Sequence, residues 1–305
     1  MKVLKCFCLP LLLFPLLLRA DEPVVLVTVR PLAWLVQAIA PPGSRIEVLV
    51  PEGRSPHDYQ LRPADVARLG RSALLVWVGP GLEPWLVQVA ERQPAAQHFA
   101  LLPMSLHEAH DHDGHGHEEA HDEPADAFAV ASVGNDPHVW LDPLALREQA
   151  VPLALRLKQV YPAQADDIDR RAARFMQDLT ALDAEIAAQF APVAARGFVV
   201  YHDGYQRLVQ RYHLNQRAAV WRHESVPAGA RERAALLALL RGGDVQCLFY
   251  EPEHGADAVA GWLGTAAKSV RMVELDPLGQ DVADGADSYP RFLRGLAGKI
   301  VGCLR

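Results

Sequence analysis

The feature that most limits how this chain can fold is a long amphipathic stretch near its middle, at residues 163–190. Apolar residues recur there every three or four positions, which predicts one continuous α-helix with a single buried face. At about 1.5 Å per residue, such a helix would be roughly 40 Å long. That length exceeds the width of one small domain, so the stretch predicts a helix that joins two domains.

On both sides of this stretch, short apolar and β-branched runs alternate with helical patterns. We predict strands at residues 24–29, 46–50, 73–78, 198–201, 218–221, 245–250 and 270–275. We predict helices at residues 31–40, 63–69, 82–91, 144–160, 205–212, 228–240, 256–267 and 289–304. Such alternation is typical of parallel sheets in α/β proteins. The sequence therefore predicts two Rossmann-like α/β domains joined by one long rigid helix. The predicted limits are 21–141 for the N-terminal domain, 142–195 for a helical connection that contains the joining helix, and 196–305 for the C-terminal domain.

The first twenty residues, MKVLKCFCLPLLLFPLLLRA, have the order of a secretory signal: lysines, then an apolar run, then a small residue. The apolar run is shorter than the about 20 residues that a bilayer core requires, which favours a cleaved signal over an uncleaved anchor. We predict cleavage near Ala20 and a mature protein in the periplasm. Cleavage would remove two lysines and one arginine but no acid, so the net charge of −7 would become more negative. An acidic protein is poorly suited to nucleic acid and well suited to a cationic ligand.

Two of the four cysteines, Cys247 and Cys303, lie outside the predicted signal. In an oxidising compartment, two such thiols predict one disulfide in the C-terminal half of the chain. Two separate free thiols are the alternative.

Three histidines lie in loops after predicted strands or directly at a strand end. His57 occurs in SPHDYQLRP, His138 in NDPHVWLDP and His202 in VVYHDGY. Ligands of open α/β sheets bind outside the carboxyl ends of the strands, so loops from both domains can converge there on one cleft. Asp276 in ELDPLG follows the last predicted strand and is a fourth candidate. Neutral imidazoles with one carboxylate form the tetrahedral kind of site that Zn²⁺ prefers, although each residue alone could be an ordinary packed, solvated or turn residue.

A tract rich in histidine and acids, HEAHDHDGHGHEEAHD, lies within a predicted loop at about residues 105–135. Its histidines are His107, His110, His112, His115, His117 and His121. Such a tract can bind metal ions weakly and in changing geometry, and it is too polar to pack into a core. A solvated acidic spacer is the alternative.

The segments SPHDYQLRPADVARL, LLVWVGPGLEPWL, DPHVWLDP, VVYHDGY and ELDPLG together resemble the zinc-binding proteins of bacterial ABC importers, the ZnuA type of the cluster A-I solute-binding family. The resemblance extends from about Val25 to the C-terminus. It implies two β/α domains bridged by a rigid helix, with the metal in the cleft between them. It also implies metal ligation by His57, His138 and His202, and a disulfide between the two C-terminal cysteines.

Manganese-binding members of this family look similar but place a carboxylate where His202 stands, so the imidazole there favours Zn²⁺ over Mn²⁺. Some zinc members have an acidic residue directly before the first histidine as a candidate fourth ligand, whereas this chain has Pro56. The fourth ligand is then Asp276, a water or a loop histidine, and we predict Asp276. The resemblance further implies that the His-rich tract gathers ions near the site.

Together these observations predict a monomeric periplasmic receptor that captures Zn²⁺ and delivers it to an inner-membrane permease driven by a cytoplasmic ATPase. A zinc hydrolase is one alternative, but none of Asp203, Glu224 and Glu251 lies in an HExxH-like spacing. An adhesin of the same fold and a receptor for manganese, copper or another divalent metal are the others. We expect neither enzymatic activity nor binding of nucleic acid.

Overall fold

The fold is a chain of alternating strands and helices, seen in a computed structural model that describes residues 22–102, 136–223, 226–227, 229–285 and 287–305. The predicted signal and the His-rich tract lie outside these residues. The strands are β1 (Val24–Val27), β2 (Arg45–Val48), β3 (Leu74–Trp77), β4 (His98–Ala100), β5 (Gly197–His202), β6 (Asn215–His223), β7 (Val226–Pro227), β8 (Val245–Tyr250) and β9 (Arg271–Glu274). The helices are α1 (Arg30–Ile39), α2 (Pro63–Arg71), α3 (Val87–Ala90), α4 (Pro143–Glu148), α5 (Ala150–Val160), α6 (Ala165–Phe190), α7 (Gln206–Arg211), α8 (Ala230–Arg241), α9 (Ala256–Leu263) and α10 (Ser288–Leu304).

The strands form two sheets, which define an N-terminal and a C-terminal lobe. The first sheet has the order β2-β1-β3-β4, and its neighbouring strands are parallel. The second has the order β7-β6-β5-β8-β9 and is parallel except for β7, which pairs antiparallel with β6. Because parallel strands all end at the same edge of a sheet, the loops that follow them are gathered at one edge of each lobe.

Both faces of each sheet are buried, and successive side chains of the central strands point to opposite faces. In β1, Val25 faces a large core that also contains residues of α6, whereas Leu26 belongs to a separate core on the opposite face. In β5, Phe198 faces the same large core and Val199 belongs to another outer core. The near-continuous apolar runs of these strands are therefore explained by burial on two sides.

Helix α6 lies in the large core and contacts α1, α4, α5 and α10. Its 26 residues give a length of about 39 Å. Its buried residues are Ile168, Ala172, Phe175, Leu179, Leu182, Ile186 and Phe190, spaced by three or four positions. Since inner residues of both sheets pack into the same cluster as α6, the two lobes share one continuous core. A wide hinge motion would expose this apolar surface to water, which opposes such a motion.

One segment of the C-terminal lobe, residues 276–284, crosses onto the N-terminal lobe, and we call it the strap. The Arg30 guanidinium donates a hydrogen bond of 2.6 Å to the backbone carbonyl of Val282. Gly279 has a φ of +64° and lies so close to Trp34 that a Cβ atom there would collide with the indole ring. The strap is thus packed so closely against the first lobe that position 279 requires a residue without a Cβ atom, and the positive φ favours glycine as well.

The predicted disulfide is confirmed: Cys247 on β8 is bonded to Cys303 in α10. The two cysteines are 56 residues apart in the chain. A cross-link over such a loop restricts the unfolded chain and typically contributes about 2–4 kcal/mol to stability. It also fixes the C-terminal helix to the sheet that carries His202.

The predicted fold class is confirmed, while several predicted element limits are wrong. The helix predicted at residues 144–160 is two helices, α4 and α5. Pro152 has no backbone N–H to donate to the carbonyl of Glu148, four residues earlier, and its ring clashes with that carbonyl. Helix α4 therefore ends at Glu148. The helix predicted at residues 82–91 is α-helical only at Val87–Ala90. Strands β4 and β7 were not predicted because three and two residues are too few to show a periodic pattern. The domain limits remain predictions.

Candidate metal centre

The structure brings His57, His138 and His202 together at the carboxyl edges of the two sheets. Their ring centroids are separated by 5.2 to 5.3 Å in all three pairs. One nitrogen from each ring lies within 4.8 Å of the other two. The Nε2 atoms of His57 and His138 are 3.2 Å apart, close to the roughly 3.3 Å between two ligands of a tetrahedral site with Zn–N bonds of about 2.0–2.1 Å. Within the described ranges, no other set of three His, Cys or acidic side chains is close enough to hold a metal ion.

His202 is held by the centre of the second sheet. It is the last residue of β5, whose six residues are all buried, and β5 pairs with β6 on one side and β8 on the other. Two residues later, the backbone of Gly204 passes close to the rings. A Cβ atom there would be 2.9 Å from Cε1 of both His138 and His202. A residue without a side chain is therefore required at this position for the rings to keep their places.

His138 is oriented by Asp136, which sequence reasoning missed. Asp136 Oδ1 lies 2.6 Å from His138 Nδ1 and accepts the backbone N–H of His138 at 2.9 Å. Burial alone would raise the pKa of Asp136, but the imidazole and the backbone N–H groups of His138 and Arg207 outweigh it, and the pKa is lowered. The signal was present in the sequence as an aspartate two residues before the histidine, in the segment DPH.

His57 lies on a loop between β2 and α2 and is only half-buried. The indole N–H of Trp85 donates a hydrogen bond of 2.7 Å to the carbonyl of Pro56. Further along the loop, the Tyr59 hydroxyl donates to Asp65 at 2.9 Å, and its ring packs edge-on against Trp85. The loop is therefore positioned by side chains and not by a sheet.

Trp140 forms one wall of the centre and connects it to the strap. Its ring lies 5.2 Å from that of His138, in an edge-to-face arrangement. Its indole N–H donates to the carbonyl of Pro277 at 2.7 Å, and its own carbonyl accepts from the Tyr289 hydroxyl at 2.9 Å. Both bonds join the segment of His138 to the C-terminal lobe.

Asp276 is not part of the three-histidine group. Its carboxylate accepts hydrogen bonds from the backbone N–H groups of Leu278 and Gly279 at 2.9 and 3.0 Å, and also from that of Gln280. Aspartate side chains commonly stabilise turns in this way. The structure thus gives Asp276 a role in the turn of the strap, and its role as a fourth ligand remains a prediction.

A second group of ionisable side chains lies after β8, on the strand next to β5. The buried carboxylate of Glu251 is 3.7 Å from Nε2 of His254. Burial, together with this neighbouring carboxylate, raises the pKa of Tyr205 well above its ordinary value. Burial lowers the pKa of His254. The pair Glu251 and His254 supplies two potential ligands, fewer than the three that a protein metal site usually needs.

The histidines of the loop tract lie outside the described residues, so their role as accessory ligands remains a prediction. In the part of the chain that the structure covers, none of the helices combines the length and the apolar character needed to cross a membrane.

The family model described as "Zinc-uptake complex component A periplasmic" matches residues 25–303. The high-affinity zinc uptake system protein ZnuA of Yersinia pestis is 32% identical over 295 residues, which cover 92% of this chain and 91% of that protein. The protein of the same description from Paracoccus denitrificans is 32% identical over 306 residues, covering 94% and 93%.

Solved structures of similar fold include a crystal structure of ZnuA, with a TM-score of 0.71 and 22% identity, covering 93% of this chain and 100% of that one. The laminin-binding protein Lmb of Streptococcus agalactiae, described as a bifunctional protein with adhesin and metal transporting activity, has a TM-score of 0.72 and 18% identity over 93% and 100% of the two chains. At these identities the similarity establishes the fold.

Proposed function

Since the chain belongs to the ZnuA family of periplasmic zinc-uptake components, we propose that it is the zinc-binding receptor of an ABC importer. It captures Zn²⁺ between its two lobes and passes the ion to an inner-membrane permease that a cytoplasmic ATPase drives. The observation that carries this proposal is the convergence of His57, His138 and His202, which are far apart in the chain. Members of this family are solute-binding proteins and not enzymes, so zinc is the transported ligand and not a cofactor.

The donor atoms support zinc over manganese. Three imidazole nitrogens suit Zn²⁺ in a tetrahedral site, whereas Mn²⁺ prefers carboxylate and water oxygens. Asp276 is the proposed fourth ligand, because an ionised carboxylate has about four lone-pair sites and its three N–H partners leave one for a metal. A water and a loop histidine are the other candidates.

The shared core supports release of the ion through small movements. The two lobes pack on one cluster with α6, so a wide opening would expose apolar surface. The half-buried loop of His57 is the part of the centre that can shift without disturbing a sheet. We expect solution scattering to give nearly the same radius of gyration with and without Zn²⁺, and a large zinc-induced closure would contradict this part of the proposal.

The decisive experiment is a competitive metal titration of the mature protein with Zn²⁺ and Mn²⁺. We expect one tight Zn²⁺ site that survives deletion of residues 107–122 and is lost when His57, His138 and His202 are all replaced by alanine. A tight site that persists in the triple variant would overturn the proposal, and Mn²⁺ binding as strong as that of Zn²⁺ would favour a manganese receptor.

A growth experiment connects binding to uptake. We expect a deletion strain to grow poorly in zinc-depleted medium and the intact chain to restore its growth.

A further inference from the structure

We propose that Asp136 is a positioning residue of the metal centre, which holds His138 with its Nε2 lone pair directed at the other two imidazoles and ties it to the C-terminal lobe through Arg207. This proposal rests on the proposed function, because it assumes that His138 is a ligand. It assigns a task to a residue that contacts no ion itself.

The first step is the direction of the short contact between the two side chains. The side chains of Asp136 and His138 are 1% and 5% exposed, so water does not compete for either. At neutral pH a carboxylate is an acceptor only. The separation of 2.6 Å between Asp136 Oδ1 and His138 Nδ1 therefore requires that Nδ1 carries the proton and donates it.

The second step concerns the other nitrogen of the ring. A neutral imidazole has one N–H, so a proton on Nδ1 leaves a lone pair on Nε2. That atom faces His57, with the two Nε2 atoms 3.2 Å apart. Carboxylate partners of this kind fix the tautomer and orientation of a ligating histidine. His138 is thereby prepared to bind a cation through Nε2 before any ion arrives.

The third step is the link to the opposite lobe. The second oxygen of Asp136, Oδ2, accepts the backbone N–H of Arg207 at 3.0 Å, and the backbone carbonyl of Asp136 accepts Nε–H of Arg207 at 2.6 Å. Arg207 belongs to α7, which begins four residues after His202. One buried aspartate thus joins the segment that carries His138 to the segment that carries His202. Two ligands from different parts of the chain are fixed relative to each other through it.

The test compares Asp136→Asn with the matched variant Asp142→Asn. The Asp136→Asn side chain keeps its shape but places an NH₂ group against one of the N–H donors, so the carboxylate's arrangement is lost. Replacing an outer partner of a metal ligand typically costs about 10- to 100-fold in metal affinity, and we expect a loss of that size for Zn²⁺.

In the control variant, Asp142 caps α4 through the N–H groups of Leu144 and Ala145, and asparagine caps helices as well as aspartate does. We expect no change in affinity for that variant.

A purely structural role would not alter the tautomer, so the second readout is the tautomer of His138. It is measured by ¹⁵N NMR of histidine-labelled, zinc-free protein at about pH 8, where an ordinary histidine is neutral, with the signals assigned by comparison with His138→Gln. We expect the Nδ1–H form in the wild-type protein and a shift toward Nε2–H in Asp136→Ala, which offers Nδ1 no acceptor. This wild-type measurement holds even if either Asp136 variant fails to fold.

An Nε2–H tautomer of His138 in the wild-type protein would overturn the proposal, and so would an Asp136→Asn variant that binds Zn²⁺ as tightly as the wild type. Failure of the proposed function has a different signature, since the wild-type protein itself would then lack a tight Zn²⁺ site.

Discussion

Two of the three proposed ligands are held far more firmly than the third. His202 ends a fully buried strand between two parallel neighbours, whereas His57 lies half-buried on a loop that a few side-chain hydrogen bonds hold in place. Rigid elements position ligands more accurately than loops do. We therefore expect the second lobe and His138 to provide a fixed half of the proposed centre, and the His57 loop to be the half that adjusts when an ion enters or leaves.

The largest expected effect comes from removing ligands one at a time. His202→Ala should weaken Zn²⁺ binding by more than about 100-fold, because even an outer partner of a ligand is worth about 10- to 100-fold. His57→Ala should cost less, since a water can approach from the exposed side and take the vacated position. Isothermal titration of the two variants measures both values. A greater loss for His57→Ala would show that the stiffness argument is wrong.

A smaller effect is expected from adding a single methyl group at the fixed half. In Gly204→Ala the new Cβ would lie 2.9 Å from the rings of His138 and His202. Because the buried strand β5 cannot shift easily, the two rings must move instead. We expect Zn²⁺ affinity to fall by about 10- to 100-fold, the loss that is typical when an outer partner of a metal ligand is replaced.

The matched control is Gly298→Ala in α10, where a Cβ would meet no atom within 4 Å. That variant should keep its Zn²⁺ affinity and gain a little stability from the better helix propensity of alanine. An unchanged affinity in Gly204→Ala would mean that the strand relaxes, and the two halves would then be equally adjustable.

The sequence predicted the architecture because its signals are local and periodic. The seven apolar residues that recur along residues 163–190 are those that α6 buries. Alternating runs likewise indicated parallel sheets, and the rule that parallel sheets bind ligands at their carboxyl ends selected His57, His138 and His202. The break between α4 and α5 was harder to predict from the sequence. A proline such as Pro152 can either end a helix or stand in the first turn of a new one, and the sequence alone does not decide between the two.

The partners of the ligands could not be derived in the same way, because hydrogen bonding depends on distances that only the folded chain defines. Asp136 and Asp276 are both aspartates followed by proline in loops near the cleft. The first holds a histidine, whereas the second holds three backbone N–H groups of its own turn. The two motifs differ in the residue two positions later, which is His138 in one and Leu278 in the other, but that difference alone does not show whether the side chain at that position meets the carboxylate.

A third prediction tests the anchor of the adjustable half through its pH dependence. The guanidinium of Arg62 donates to Asp65, and this bond, with further donors from the Arg62 backbone and Tyr59, outweighs burial and lowers the pKa of Asp65 to about 2. The folded state therefore gains stability from the ionised carboxylate above about pH 4, and this gain is lost as the pH falls toward 2. Asp65→Asn should lower the free energy of unfolding by about 1–2 kcal/mol at neutral pH.

Denaturant titrations of zinc-free protein at several pH values measure this difference, which should shrink steadily below about pH 4. Asp169→Asn is the control, because Asp169 is 57% exposed in its ion pair with Lys158, and such pairs contribute little. A difference between Asp65→Asn and the wild type that stays constant down to the lowest pH would remove Asp65 as an ionised anchor of the loop.

The smallest expected effect isolates the bond that holds His57 in place. Trp85→Phe keeps an aromatic ring against Tyr59 but removes the donor to the carbonyl of Pro56. A hydrogen bond of this kind contributes about 1 kcal/mol, so Zn²⁺ affinity should fall by about fivefold. Trp262→Phe in α9, on the far face of the second sheet, should leave Zn²⁺ affinity unchanged.

In a His57→Ala background, Trp85→Phe should have no further effect on Zn²⁺ affinity, because the ligand that Trp85 positions is gone. An equal loss in both backgrounds would show that Trp85 stabilises the first lobe generally, and the loop would then not be the adjustable half of the centre.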